Sequence, residues 1–366
     1  MGLNQNRGSY LNILLTGGHG ATTGIAVIQA LRKRLPLATI SWIGTNTVIS
    51  GSKATSLEYK IYPSMGVKYY SINAGKLQTK FTRHTISQLL LIPVGFVQAF
   101  FLLLKIRPRV ILSFGGYSSF PVVFFAWCFR IPIVLHEQTV VAGRASALSA
   151  FFVNKIALSR IESLKYFPKE KCVVTGNPIT SEVVAVKPKM SLGKIKTLLV
   201  IGGSRGSEFI NEIVFKIRDS LTTKYKVIHV TGERDYAKYS SYSNSNYRVL
   251  EFVNPSEMAK VYSESDIIIS RAGANSVAEI ISIKRPAILI PLPRTFLNEQ
   301  VKNAEYASTF GVAKVILESE CTEERLKLEI DSLFNNWQKK VNDVSNKISP
   351  DAMASEKLTN LVIEYL

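Results

Sequence analysis

LLTGGHGATTGIAV, residues 14–27, passes from an apolar run through a glycine-rich turn into a stretch with helical character. A short continuous apolar run bounded by turn residues is what a strand buried on both faces looks like, and glycine allows the tight exit into a following helix. The same unit returns as GGSRGS, Gly202 to Ser207, after the apolar run Thr197 to Ile201. Around the first copy, β-branched runs recur at Leu11 to Leu15, Thr39 to Ile43, Val110 to Leu112, Ile133 to Leu135, Lys155 to Leu158 and Cys172 to Val174. Around the second they recur at Thr197 to Ile201, Lys226 to Val230, Arg248 to Glu251, Asp266 to Ser270, Ala287 to Ile290 and Ala313 to Ile316. Helical stretches separate them throughout. This rhythm predicts an α/β protein of two Rossmann-like, doubly wound domains in tandem, each with a parallel sheet covered on both faces.

The length of 366 residues suits two domains. Their join falls in NPITSEVVAVKPKMSLGKIK, residues 177–196, where prolines, a glycine and lysines interrupt the pattern. The expected division is therefore 1–178, 179–350 and a C-terminal helical segment, 351–366, able to pack back on either domain. Hydrophobic residues make up 46% of the chain, enough for sizeable cores. Cys128, Cys172 and Cys321 are widely spaced with no CxxC pair, which speaks against a disulfide framework or zinc site and for a reducing, cytosolic setting.

The net charge of +18 is uneven. Residues 1–178 hold 20 Lys and Arg against four acids, whereas 179–366 hold 25 against 23. A basic first half points to a polyanionic partner. The stretch TISQLLLIPVGFVQAFFLLLKIRPR, residues 85–109, bears on which one. Ile86 to Leu104 is almost wholly apolar, contains Pro93, and is flanked by Arg83, Lys105, Arg107 and Arg109. It reads as a membrane span, as a buried core helix, or as a helix docked in the membrane interface. Apolar bulk beside basic residues favours an anionic membrane surface, and no nucleic-acid-binding signature is present.

Ligands of open α/β sheets bind beyond the carboxyl ends of the strands. Four loops stand there: TGGHG (Thr16 to Gly20), SFGGYSS (Ser113 to Ser119), GGSRGS (Gly202 to Ser207) and SRAGANSVAE (Ser270 to Glu279). Glycine backbones followed by helix N-termini suit phosphate. A dinucleotide site would need GxGxxG with an acidic residue about 20 positions on. The first 57 residues contain neither Asp nor Glu, and no P-loop motif occurs. Glu279, just inside the helix after SRAGANS, is the carboxylate placed to accept hydrogen bonds from ribose hydroxyls. Complementing the helix dipole is its plainer explanation.

GGYSSFP, IPIVLHEQ with a following AG, GNPI, GGSRGS, and SRAGANSVAE with NEQVKNA some 20 residues on occur in the order and spacing of the MurG family, which this chain resembles over nearly its whole length. The resemblance implies GT-B architecture, with two Rossmann-like domains facing across a cleft. It implies an inverting N-acetylglucosaminyltransferase of peptidoglycan synthesis, peripheral to the cytoplasmic face of the cell membrane. Its donor would be UDP-GlcNAc and its acceptor undecaprenyl-diphospho-muramoylpentapeptide, with no nucleic acid, metal or cofactor involved. By position, donor contacts fall on Ser204, on Val253 for uracil, on Ala274, Asn275, Ser276 and Glu279, and on Gln300 for the sugar. Acceptor-side contacts fall on Thr16, Gly17, Gly18 and Thr139.

Transfer to a hydroxyl with inversion needs a base, and imidazole titrates near neutrality. His19 is the first candidate, with binding of the acceptor diphosphate or a structural role as rival readings. His136 is the second, with Glu137 beside it to bind acceptor or orient a proton carrier. The chain departs from the family pattern in four places. One residue is added after His19, Thr139 replaces Asn, Thr180 replaces Arg, and Glu299-Gln300 replaces a Gln pair. A different GT-B UDP-sugar enzyme, a UDP-GlcNAc 2-epimerase and a non-catalytic membrane-docked UDP-sugar binder are the competing functions.

Overall fold

The computed structural model describes residues 11–18, 20–47, 55–75, 85–203 and 206–366, with side chains from residue 89 onward in the fourth span. Two compact units are present, residues 1–178 with 353–366 and residues 179–352.

The first unit carries a seven-stranded parallel sheet: β1 (Asn12–Thr16), β2 (Thr39–Gly44), β3 (Lys68–Ser71), β4 (Val110–Ser113), β5 (Ile133–Glu137), β6 (Lys155–Leu158) and β7 (Cys172–Val174). Its order, β3-β2-β1-β4-β5-β6-β7, reverses direction between β1 and β4, the crevice-forming feature of doubly wound sheets. Central strands β1, β4 and β5 are buried nearly throughout, which is why they read as unbroken apolar runs. β3, KYYS, escapes that reading because it lies at the sheet edge and is half exposed.

The Thr85–Ile106 helix is neither wholly buried nor free of the fold. Only 22% of its Leu89–Ile106 stretch is buried. Ala99, Leu103 and Ile106 enter the core, and Phe96 and Phe100 meet Phe124 and Phe125 of the Phe120–Cys128 helix edge-on. On the opposite face Leu90, Val94, Val97, Phe101 and Leu104, spaced three and four residues apart, are all exposed. The C-terminal helix, Ala354–Ile363, packs on the first unit: Leu358, Leu361 and Val362 join Ile13, Ile28 and Leu31 in one cluster. Each such fully buried side chain contributes about 1.5–3 kcal/mol.

The second unit repeats the plan with β8 (Thr197–Ile201), β9 (Lys226–Val230), β10 (Tyr247–Leu250), β11 (Ile267–Ser270), β12 (Ala287–Leu289) and β13 (Ala313–Val315). Their order is β10-β9-β8-β11-β12-β13, all parallel, with the reversal between β8 and β11. Each unit thus places its first glycine loop at its own switch point.

Candidate active site

In the first unit two glycine loops interlock by backbone. Gly18 donates its N–H to the carbonyl of Gly115 at 3.1 Å. Gly116 has φ +89°, and a Cβ built there would lie 2.9 Å from the Gly18 nitrogen. Only glycine meets both conditions. Thr16 is buried and its hydroxyl donates to the Ile43 carbonyl at 2.9 Å, so it braces β1 against β2. The loops stand at the carboxyl ends of β1 and β4. His19 lies outside the described residues, between Gly18 and Gly20, whose positions are given.

The two other acceptor-side candidates are enclosed. His136, on β5, has no exposed surface; its Nε2 lies 3.3 Å from the Gly176 carbonyl and 3.2 Å from Ser159 Oγ. Burial holds its pKa down, to about 4, so the ring is neutral at pH 7. A base must reach the proton it removes, and this imidazole does not reach the surface as placed. Glu137 is also buried, and burial pushes its pKa up. Its carboxylate accepts from the N–H and hydroxyl of Thr139, at 3.3 and 3.2 Å, and from Gly143 N–H at 3.3 Å. Glu137 therefore organises its own loop, and the Thr139 hydroxyl, shared between Glu137 and the Val141 carbonyl, is turned into that loop rather than outward. The loop continues to Ser146, whose Oγ sits beneath Gly115.

In the second unit the site is held by side chains. Ser207 caps the Glu208–Lys216 helix, accepting from Ile210 N–H at 3.4 Å. Arg271, 8% exposed, donates from Nε to Ser207 Oγ at 2.9 Å and from Nη1 to the carbonyls of Ile290 and Pro291. Its Nη2 pairs with Glu318 at 2.6 Å. One guanidinium thereby ties together the loops after β8, β11 and β12. Gln300 adds a second tie: its Oε1 accepts from Ala272 N–H at 3.2 Å and Leu292 N–H at 3.0 Å. That oxygen is engaged with the loops, so only the amide N–H groups remain to meet a ligand.

Glu279, in the Ala274–Ile283 helix, is half buried and accepts from the Tyr262 hydroxyl at 2.7 Å. Burial raises its pKa to about 7, with the tyrosine bond opposing the rise. Ala274, Asn275 and Ser276 form the first turn of the same helix. Val253 follows β10, and among the described residues neither its N–H nor its C=O is taken by another backbone group. Ser204 lies outside the described residues. Among the described residues no three His, Cys, Asp or Glu side chains gather as metal ligands would.

Residues 16–158 match the glycosyltransferase family 28 N-terminal domain and residues 197–358 the family 28 C-terminal domain. The chain belongs to glycosyltransferase family 28. A family 28 relative from Desulfotalea psychrophila is 35% identical over 341 residues, covering 90% of this chain and 89% of its own. Another, from Legionella pneumophila strain Corby, is 32% identical over 367 residues, covering 97% and 96%. Both are named UDP-N-acetylglucosamine--N-acetylmuramyl-(pentapeptide) pyrophosphoryl-undecaprenol N-acetylglucosamine transferase. The crystal structure of Acinetobacter baumannii MurG superposes with a TM-score of 0.70 at 23% identity, over 97% of this chain and 99% of that one, which establishes the GT-B fold.

The family 28 assignment was legible in the loop motifs, but the ties that hold the loops were not. Arg271 stands inside the motif SRAGANSVAE, yet nothing in one sequence says that its partners are Ser207, Ile290 and Glu318, 19 to 64 positions away. A cation that precedes a glycine turn at a strand end is the available signal. Tyr262 gave none.

Proposed function

We propose that the chain transfers N-acetylglucosamine from UDP-GlcNAc to the muramoyl sugar of undecaprenyl-diphospho-muramoylpentapeptide, with inversion and without a metal. The observation that carries this reading is the 32–35% identity to transferases of that name across nearly the whole chain. The geometry of the second unit supports the donor part. Glu279 presents a carboxylate for the ribose, Val253 a backbone with no backbone partner among the described residues for the base, and the capped Glu208–Lys216 helix an N-terminus for the diphosphate.

In the reaction His19 takes the proton of the acceptor hydroxyl as its oxygen forms a bond to the anomeric carbon. The bond from that carbon to the phosphate oxygen breaks, and UDP leaves with the electron pair. Backbone N–H groups at the helix N-terminus stabilise the charge that develops on the diphosphate. Glu137 acts as a positioning residue, holding the loop that supports Gly115 and, through it, Gly18, while His136 ties the end of β5 to Ser159 and Gly176.

The acceptor is membrane-borne, and the enzyme docks on the anionic cytoplasmic face through the exposed stripe Leu90, Val94, Val97, Phe101 and Leu104. Exposed Lys105, Arg107 and Arg130 stand near its end to meet headgroups. The test is incubation of radiolabelled UDP-GlcNAc with the polyprenyl-linked acceptor. Labelled lipid is expected. Label appearing only in UDP-ManNAc would make the chain an epimerase, and no turnover at all would make it a binder.

A further inference from the structure

On the edge of the second sheet opposite the donor loops lies an open pocket of about 530 Å3. Thr197, Asp266 and Arg285 stand at or just before the starts of β8, β11 and β12 and mark that edge. Lys187, Lys189, Lys260 and Arg285 line the pocket, with Glu182 the acid among its lining residues. Arg285 is 1% exposed. Its Nη2 donates to the Tyr262 carbonyl at 3.4 Å, while Nε and Nη1 have no hydrogen-bond partner. A buried guanidinium with two unmet N–H groups is costly unless something else satisfies them.

The nearby carboxylate does not do so. Asp266, fully buried, accepts from Thr197 N–H at 2.7 Å and pairs with Lys189 at 2.5 Å. Counting Asp266 with Glu182, four cations face two acids. The surplus and the unmet donors both ask for an anion, and a phosphate group has the charge and the acceptor oxygens to satisfy them.

We propose that this pocket is a second anion site of the chain, distinct from the donor site, which takes a phosphate group in contact with Arg285 and with Lys187 and Lys260 at its mouth. The pocket is joined to the donor site through Tyr262, whose carbonyl accepts from Arg285 and whose hydroxyl donates to Glu279. Occupancy that draws Arg285 toward the anion therefore changes the hold on the residue that faces the ribose.

The test uses the full chain saturated with UDP, so that the donor site is filled, and follows thermal stability against inorganic phosphate at constant ionic strength. A saturable rise in Tm is expected, and the Lys187→Glu/Lys260→Glu variant, altered only at exposed positions, should need at least about tenfold more phosphate for the same rise. Arg285→Leu should abolish the response. If that variant does not fold, the mouth variant alone decides. A parallel arm compares binding to phosphatidylglycerol-containing vesicles with binding to pure phosphatidylcholine vesicles. A loss confined to the anionic vesicles in the mouth variant, without a response to free phosphate, assigns the site to a lipid headgroup. No saturable response in either arm, or one that the mouth variant keeps unchanged, overturns the proposal. UDP titration of a separate, UDP-free sample reports on the donor reading.

Discussion

The two units solve one problem in different materials. In the first, the loops at the switch point hold each other by backbone, Gly18 against Gly115 and Gly116, over a shelf organised by Glu137. In the second, the corresponding loops are tied by long side chains, Arg271 and Gln300, which reach across three strand ends. Backbone packing leaves little room for adjustment, because a single added carbon collides. A guanidinium network tolerates small shifts but depends on charge. The first unit should therefore fail sterically and the second electrostatically, and each mode should leave the other unit's binding intact.

The sharpest break in that comparison comes from the group the first loop carries. His19→Ala should lower kcat by about 100- to 10,000-fold, the usual contribution of a positioned base, while UDP binding is spared. Isothermal titration beside turnover would show the split. Unchanged turnover would remove His19 from proton transfer.

Next comes the donor half. Arg271→Met keeps much of the apolar stem but releases Ser207, two carbonyls and Glu318 together. UDP affinity should drop by about 10- to 100-fold, with about 1–3 kcal/mol lost in denaturant unfolding as the freed groups go unpaired. Arg271→Lys should not restore it, since one ammonium does not span partners that a planar fork reaches. Equal UDP affinity in all three proteins would show that the loops stand without the tie.

How much of this was open to reading from residues alone follows the same divide. Strands such as Leu11 to Leu15 and Thr197 to Ile201 were legible because burial on both faces writes itself as an apolar run. β3 was not, since an edge strand that is half exposed carries tyrosines and a lysine instead. The glycine loops were legible as strand-to-helix turns at the switch points, because a tight turn at a strand end needs glycine. His136 was misleading: a histidine at a strand end resembles a base in sequence, but burial against Gly176 and Ser159 makes it a neutral internal group. Gln300 stands among the loops after β11 and β12, where its carbonyl oxygen is already engaged, a tie that no local pattern announced. Contacts that join residues far apart in the chain leave no local pattern.

The steric mode has its own test. Gly116→Ala puts a methyl against the Gly18 nitrogen and forces alanine into φ +89°. A stability loss of about 1–3 kcal/mol is expected from the strain, and kcat/KM should fall by about tenfold as the neighbouring loop shifts. UDP affinity should stay at the wild-type value. A matching loss of UDP affinity would mean that the halves are not independent.

The smallest effect, and the most diagnostic of the electrostatic half, is a pH dependence. With its pKa held near 7 by burial, Glu279 changes charge across the neutral range. In the proposed donor site ribose hydroxyls donate to this carboxylate, so binding there favours the ionised form. Affinity for uridine, which lacks phosphates that titrate in the same window, should therefore rise by about five- to tenfold from pH 6 to pH 8. The stability of the unliganded protein should run the other way. A carboxyl whose folded pKa is raised above its unfolded value adds stability that is fully present below the unfolded pKa of about 4.5. That stability is lost as the pH climbs through 7. Tyr262→Phe removes the hydroxyl that favours the carboxylate and should move both midpoints upward, whereas Glu279→Gln should flatten both profiles. A uridine profile that keeps its slope in Glu279→Gln would place the titrating group elsewhere, and the second unit would then owe its pH response to some residue other than Glu279.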